Sequence, residues 1–247
     1  MTGPEAEVNR MEETNVFYRD PALYDAVQAD SDTARTTQDL IERYHPDAVL
    51  LADFGCGTGR DLELLAKRYD CVGIDLQPGM VAYAHKVRPS LDIRTGDMRT
   101  YRLGHRVDVV TCLGNSLAYV HDSDAVRDVF TTFAVHALPG TLLVICSPVA
   151  PILRDEPTRA TVETEQTRAT VTIQHTWDPA TRINTLHRHW AFAAGTEARD
   201  VIQRRVLGPQ ELERFATDAG FEVLGMFDES GGAAPIGPTA YTVARYR

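Results

Sequence analysis

The chain has 247 residues, 43% of them hydrophobic, enough for one large domain with a sizeable core and an excursion from it. Its 25 basic and 35 acidic residues leave a formal charge of −10, which repels phosphate backbones, so nucleic acid is not expected as a partner and a small molecule is. No run approaches the roughly 20 apolar residues of a membrane span, the start Met1-Thr2-Gly3-Pro4-Glu5 is acidic where a secretory signal is basic, and Cys56, Cys71, Cys112 and Cys146 lack the spacing of a zinc site. A cytoplasmic protein with reduced thiols, no membrane and no metal is expected.

In chain order, residues 1 to 15 are polar and interrupted by proline, and read as a loose arm. From Val16 to Val27 the side chains of Phe17, Tyr18, Leu23, Tyr24 and Val27 recur at helical spacing, a lid-like segment. Thr33 to Tyr44 continues as a helix with Leu40 and Ile41 inward, so that residues 1–45 make an N-terminal helical arm. Over 46–150 short apolar runs (Val49 to Phe54, Cys71 to Ile74, Leu91 to Arg94, Val107 to Cys112, Thr141 to Cys146) alternate with helices at Arg60 to Tyr69, Gly79 to Val87 and Ala125 to Ala137. Strands apolar at nearly every position are covered on both faces, which predicts a mostly parallel sheet built from βαβ units.

Residues 157–206 break that rhythm. Thr161 to Glu165, Ala169 to His175 and Arg182 to Trp190 alternate polar residues with β-formers around an Asp178-Pro179 turn, the pattern of an antiparallel insertion. Over 207–247 a helix from Pro209 to Ala219, closed by Gly220, precedes strands at Phe221 to Phe227 and Thr239 to Tyr246. The link between those strands, through Gly231-Gly232 and on to Pro238, is too short for a crossover helix, so they pair antiparallel. The whole is read as a single domain, 1–247.

The chemistry concentrates where strands end. Asp53-Phe54-Gly55-Cys56-Gly57-Thr58-Gly59 leaves the first strand and opens a helix, and its alternating glycines let the backbone turn sharply and approach a ligand closely. Asp75 ends the next strand, where a carboxylate can accept hydrogen bonds from both ribose hydroxyls. Arg60 stands where the dinucleotide fingerprint G-x-G-x-x-G would carry its last glycine, which favours a ligand without a pyrophosphate. Gly96-Asp97-Met98 follows the third strand, with an acid that can accept from an adenine amino group and an apolar neighbour to flank the ring. After the fourth strand, Leu113 to His121 lies where a ligand in the crevice meets its reaction partner.

Together these motifs resemble the class I S-adenosylmethionine-dependent methyltransferases, over roughly Leu40 to Pro148 plus the closing hairpin. The resemblance implies an α/β Rossmann-like fold with a mostly parallel seven-stranded sheet, a C-terminal antiparallel hairpin and the β insertion. It also implies S-adenosylmethionine as cofactor, held by Asp53, Gly55, Cys56, Gly57, Asp75, Leu76, Met80, Asp97, Met98 and Leu113, with Tyr18 and Tyr24 closing over it. Within that superfamily the chain is similar to the small-molecule N-methyltransferases that dimethylate nucleotide-linked amino sugars in antibiotic pathways. The points of likeness are the Tyr-containing N-terminal segment, Gly96-Asp97-Met98-Arg99, Thr111-Cys112 and the insertion before Gly208. Those enzymes tend to carry Ser-x-x-His after the fourth strand; here Ser116-Leu117-Ala118-Tyr119 stands there.

Methyl transfer from a sulfonium is an in-line displacement that needs alignment, exclusion of water and removal of a proton from the nucleophile. Candidate bases are Tyr119 and His121 after the fourth strand, and His187 and His189, which share one face of an insertion strand. A tyrosine, with a reference pKa of about 10, orients an acceptor more readily than it deprotonates one. The insertion is expected to roof the acceptor or to pair two subunits into a homodimer. Methylation of an amine is preferred, with an O-methyltransferase acting on a hydroxyl or carboxyl as the alternative. An RNA methyltransferase is disfavoured by charge, and a non-catalytic relative by the intact glycines and acids.

Overall fold

The computed structural model describes residues 15–163, 168–228 and 237–247. Residues 1–14 of the expected arm, the end of the Thr161 to Glu165 run and the Gly231-Gly232 link lie outside the described residues. The described chain resolves into two compact units. One combines the described part of Met1–Ser31 with Pro151–Arg204, and the other combines Asp32–Ala150 with Arg205–Arg247. The division falls inside the expected helical arm, between its lid-like segment and the helix that follows.

The larger unit starts with α3 (Thr33–Tyr44) and alternates strand and helix: β1 (Leu50–Phe54), α4 (Arg60–Leu65), β2 (Asp70–Asp75), α5 (Pro78–Val87), β3 (Asp92–Thr95) and β4 (Val107–Cys112). A 3-10 turn (Ser116–Tyr119), α6 (Ser123–Val135) and β5 (Ala137–Pro148) follow; after the insertion come α7 (Pro209–Asp218), β10 (Phe221–Phe227) and β11 (Thr239–Tyr246). The strands form one seven-stranded sheet in the order β10-β11-β5-β4-β1-β2-β3. β1 pairs in parallel with β2 and β4, β2 with β3, and β4 with β5, while β11 is antiparallel to both β5 and β10.

Alternation along each strand explains why the runs read as continuously apolar. Ala52, Val110, Leu143 and Ile145 face Phe130 and Phe133 of α6 and Leu212 and Phe215 of α7. Their neighbours Leu51, Val109, Leu142 and Val144 face Leu40 and Ile41 of α3 and Leu62 and Leu65 of α4 on the other side. α6 and α7 thus cover one face and α3, α4 and α5, the last through Val81 and Ala84, the other, while the strand order reverses at β1. β2 and β3 lie on one side and β4 and β5 on the other, so the crevice of such a sheet opens at the carboxyl ends of β1 and β4.

The smaller unit contains α1 (Val16–Arg19), α2 (Pro21–Val27) and a four-stranded sheet, β6 (Thr158–Glu163), β7 (Arg168–Asp178), β8 (Ile183–Phe192) and β9 (Glu197–Arg205), in that order. β6–β7 and β7–β8 are antiparallel. The lid-like segment is two helices because Asp20 closes the first and caps the second, accepting from Leu23 N at 3.1 Å, while Pro21 has no N–H with which to continue a helix. Val16, Phe17 and Leu23 pack with Val162, Ala169, Val171 and Trp190 into this unit's own core. A buried ion pair fastens it. Arg188 binds both oxygens of Asp200, at 2.7 and 2.6 Å, and reaches Asn15 Oδ1 at 3.0 Å; Asp200 also accepts from Val16 N at 2.8 Å. The guanidinium lies over the Phe17 ring, 4.1 Å from its centroid.

Candidate active site

The glycine loop is tied to the sheet by its own backbone. Gly55 N and Cys56 N both donate to the Ile74 carbonyl, at 2.7 and 3.2 Å, and Gly57 N donates to Asp75 Oδ2 at 2.7 Å. Gly55 has φ +86°, and a Cβ placed there would meet Ser116 Cβ at 2.4 Å, so no other residue allows the turn after β4 to close against the loop. Ser116 completes that contact by donating its hydroxyl to the Gly55 carbonyl at 2.9 Å. On the sheet side, Cys56 turns inward over Gly73 of β2, where an added Cβ would lie 2.6 Å from its sulfur.

Two buried carboxylates flank the loop. Asp53 at the end of β1 lies in register with Thr111 of β4 and accepts its hydroxyl at 2.7 Å. Burial raises its pKa to about 7; Thr111 opposes the rise, and the nearby carboxylates of Asp61 and Asp75 add to it. Asp75 accepts from Gly57 N on one oxygen and from Gln77 N at 2.8 Å on the other. Burial raises its pKa, and those two amides lower it. Each oxygen retains a second lone pair, so Asp75 can still accept from a diol. The Cys56 thiol is pushed well above its ordinary value by burial and by the same carboxylates, which makes it a packing group.

Asp97 is held differently: Arg99 covers its carboxylate, Nη2 to Oδ2 at 2.6 Å, and Arg99 N donates to Oδ1 at 2.8 Å. Its orientation is fixed and its charge is matched. The Met98 methyl group lies beside Gly55, 3.2 Å from where a Cβ would stand. Leu113 and Met80 are buried and Leu76 is half-buried. The larger unit therefore contains the expected residues Asp53, Gly55, Cys56, Gly57, Asp75, Leu76, Met80, Asp97, Met98 and Leu113. It also contains Tyr119, half-buried in the turn after β4, and His121, exposed just beyond it.

Tyr18, Tyr24, His187 and His189 belong to the smaller unit. There Tyr24 packs edge-on against Phe17 at 5.5 Å. His187 and His189 do share a face of β8, opposite the buried Leu186, Arg188 and Trp190; His187 is exposed, and His189 contacts Glu197 at 3.1 Å. Thr111 and Ser116 are the residues that reasoning from sequence did not assign a role. Thr111 acquires one only from the β1–β4 register, and Ser116 only from the closure of the turn over Gly55. Among the described residues no group of three or more His, Cys, Asp or Glu is placed to hold a metal, and no helix is long and apolar enough to cross a membrane.

Residues 51–140 match the family model described as a methyltransferase domain. A dTDP-3-amino-3,4,6-trideoxy-alpha-D-glucopyranose N,N-dimethyltransferase of Streptomyces venezuelae is 32% identical over 140 residues, 56% of this chain and 57% of that protein. A dTDP-3-amino-3,6-dideoxy-alpha-D-glucopyranose N,N-dimethyltransferase of Streptomyces fradiae is 35% identical over 107 residues, 43% of this chain and 42% of the other. The matched stretches thus span about half the length of these curated relatives. Among solved structures, the S-adenosylmethionine-bound amino pentose methyltransferase of Micromonospora echinaspora, involved in calicheamicin biosynthesis, superposes with a TM-score of 0.79 at 26% identity, covering 92% of this chain and 96% of that one. The domain match, the strand order and the glycine loop set between strand-end acids agree with one another: residues 51–140 carry a methyltransferase domain, and the fold is that of the class I S-adenosylmethionine-dependent methyltransferases.

Proposed function

We propose that this chain transfers the methyl group of S-adenosylmethionine to the nitrogen of a small polar amine, of the kind found in nucleotide-linked amino sugars of antibiotic pathways. The observation that carries the reading is the Gly57 N to Asp75 Oδ2 bond of 2.7 Å beside the buried Asp53, which sets a glycine loop between two carboxylates. The chemistry of the donor set fits the group. Asp53 is hydrogen-bonded to a neutral hydroxyl, and the charges that raise its pKa are carboxylates, so a ligand with a cationic end relieves its environment. Asp75 offers lone pairs to a ribose diol, and Met98 an apolar flank to a purine.

When bound, S-adenosylmethionine would supply a methyl group on a sulfonium, whose C–S bond would break, releasing a neutral thioether, as the amine lone pair forms the new C–N bond. The chain's residues then align the acceptor, exclude water and receive a proton. Tyr119 orients the acceptor through its hydroxyl, and His121 is the base nearest to it in sequence; His187 and His189 remain the insertion's candidates. A free amine is already present as a fraction at neutral pH, so the base matters less than for a hydroxyl. The enzyme is read as cytoplasmic, acting on neither nucleic acid nor membrane, and as a homodimer through the insertion, whose sheet has β6 and β9 as its outer strands among the described residues.

The test is incubation of the full chain with methyl-labelled donor and a panel of amino sugars, free and nucleotide-linked, followed by product mass and NMR. An N-methyl product, one or two additions, is expected. An O-methyl ether or ester would move the acceptor assignment to oxygen, and no product across amines, hydroxyls and carboxylates would defeat the reading.

A further inference from the structure

The segment after β4 carries Tyr119 and His121 but little regular structure: one 3-10 turn, then Val120, His121 and Asp122 before α6 begins at Ser123. Its near end is fixed by the Ser116 hydroxyl on the Gly55 carbonyl. Its far end is fixed by Asp122, which caps α6 by accepting from Asp124 N and Ala125 N at 2.9 and 3.1 Å. What ties the middle comes from far away in sequence. Arg205, the last residue of β9 and the first of the larger unit's second segment, is buried, with 8% of its surface exposed. Its Nη1 donates to the His121 carbonyl at 2.8 Å, and its Nη2 to the Ser123 hydroxyl at 3.0 Å and to Glu211 Oε1 at 2.6 Å. The Glu211 side chain, in the first turn of α7, is only 13% exposed.

A guanidinium presents its N–H groups in a rigid planar fork, so one side chain can hold a carbonyl, a hydroxyl and a carboxylate in fixed relation. A buried pair of this kind contributes little net stability compared with apolar packing, because both charges have left water. Its value therefore lies in geometry, and the geometry converges on the carbonyl of a candidate base. We propose that Arg205, braced by Glu211, is a positioning residue that sets the Tyr119–His121 segment without touching acceptor or donor. What that segment does rests on the methyltransferase reading; what Arg205 holds does not.

Two measurements on the full chain decide it. In amide hydrogen exchange without ligand, Arg205→Met should speed exchange over residues 117–125 by about tenfold or more while β1 and β2 keep wild-type rates, with Arg205→Lys and Glu211→Gln in between. Unchanged exchange over 117–125, or equal acceleration throughout the sheet, would overturn the proposal. In methyl transfer, Arg205→Met should lower kcat by about tenfold with the donor Kd unchanged, and in a His121→Ala background the further loss should shrink to less than about threefold, since coupled residues are not additive. Full additivity would overturn it as well. A wild-type chain that methylates nothing defeats the functional reading alone, and hydrogen exchange then still decides whether Arg205 holds the segment.

Discussion

The two units bury charge in opposite ways. In the smaller one Asp200 is fully inaccessible at its side chain and Arg188 nearly so, yet each answers the other through two hydrogen bonds, and Asn15 and Val16 N complete the set. In the larger one Asp53 is 1% exposed and Asp75 8%, and their partners are a threonine hydroxyl and backbone amides. Paired burial fixes one chain conformation, here the seating of α1 on its sheet. Burial against neutral donors leaves carboxylates whose ionised form is disfavoured, which is the feature that marks them as a candidate site and not a brace.

Breaking the brace should have the largest effect. Asp200→Ala strands the Arg188 guanidinium inside the smaller unit and should cost about 3 to 5 kcal/mol there, read by urea unfolding followed at Trp190. Donor binding by the larger unit should survive; loss of less than about 1 kcal/mol would mean the pair is not the fastener it resembles.

Next is Gly73→Ala, whose Cβ would fall 2.6 Å from Cys56 Sγ and 2.9 Å from Leu62 Cδ2. Overpacking of that kind should cost about 1 to 3 kcal/mol and displace the glycine loop. Adding Cys56→Ala should recover part of the loss in a denaturant titration, and no recovery would place the strain at Leu62 instead.

The smallest effect has the opposite sign. The Asp53 pKa rises from 3.8 in the unfolded chain to about 7 in the folded one, so its contribution to stability is full below about 4 and is lost as pH rises through about 7. Asp53→Asn escapes that loss. The variant should gain on wild type between pH 5 and 8, by about 1 kcal/mol or more in thermal or urea unfolding. A gap that does not change with pH would mean that Asp53 stays ionised.

The sheet was largely legible from sequence, since period and apolar runs register whether a strand is covered on one face or two. The expected Val107 to Cys112, Phe221 to Phe227 and Thr239 to Tyr246 strands coincide with β4, β10 and β11. β5 begins before the expected Thr141 to Cys146, at Ala137, and the Thr141 hydroxyl, on the Val107 carbonyl at 2.7 Å, ties the chain to β4 there. The candidate site was legible only where it is local. Gly55, Gly57 and Asp75 stand out by motif and position. Thr111, Ser116 and Arg205 act through partners 58, 61 and 84 positions away, and nothing in their own neighbourhood marks them.

The contrast between brace and site is tested most directly by titrating S-adenosylmethionine calorimetrically into the wild type and Asp53→Asn at several pH values. Wild-type affinity should climb by roughly tenfold or more from about pH 5.5 to 7 as Asp53 ionises to meet the donor's cationic end, while the variant binds about tenfold or more weaker at pH 7 and without that slope. A wild-type affinity that is flat with pH and equal to that of Asp53→Asn would contradict the account.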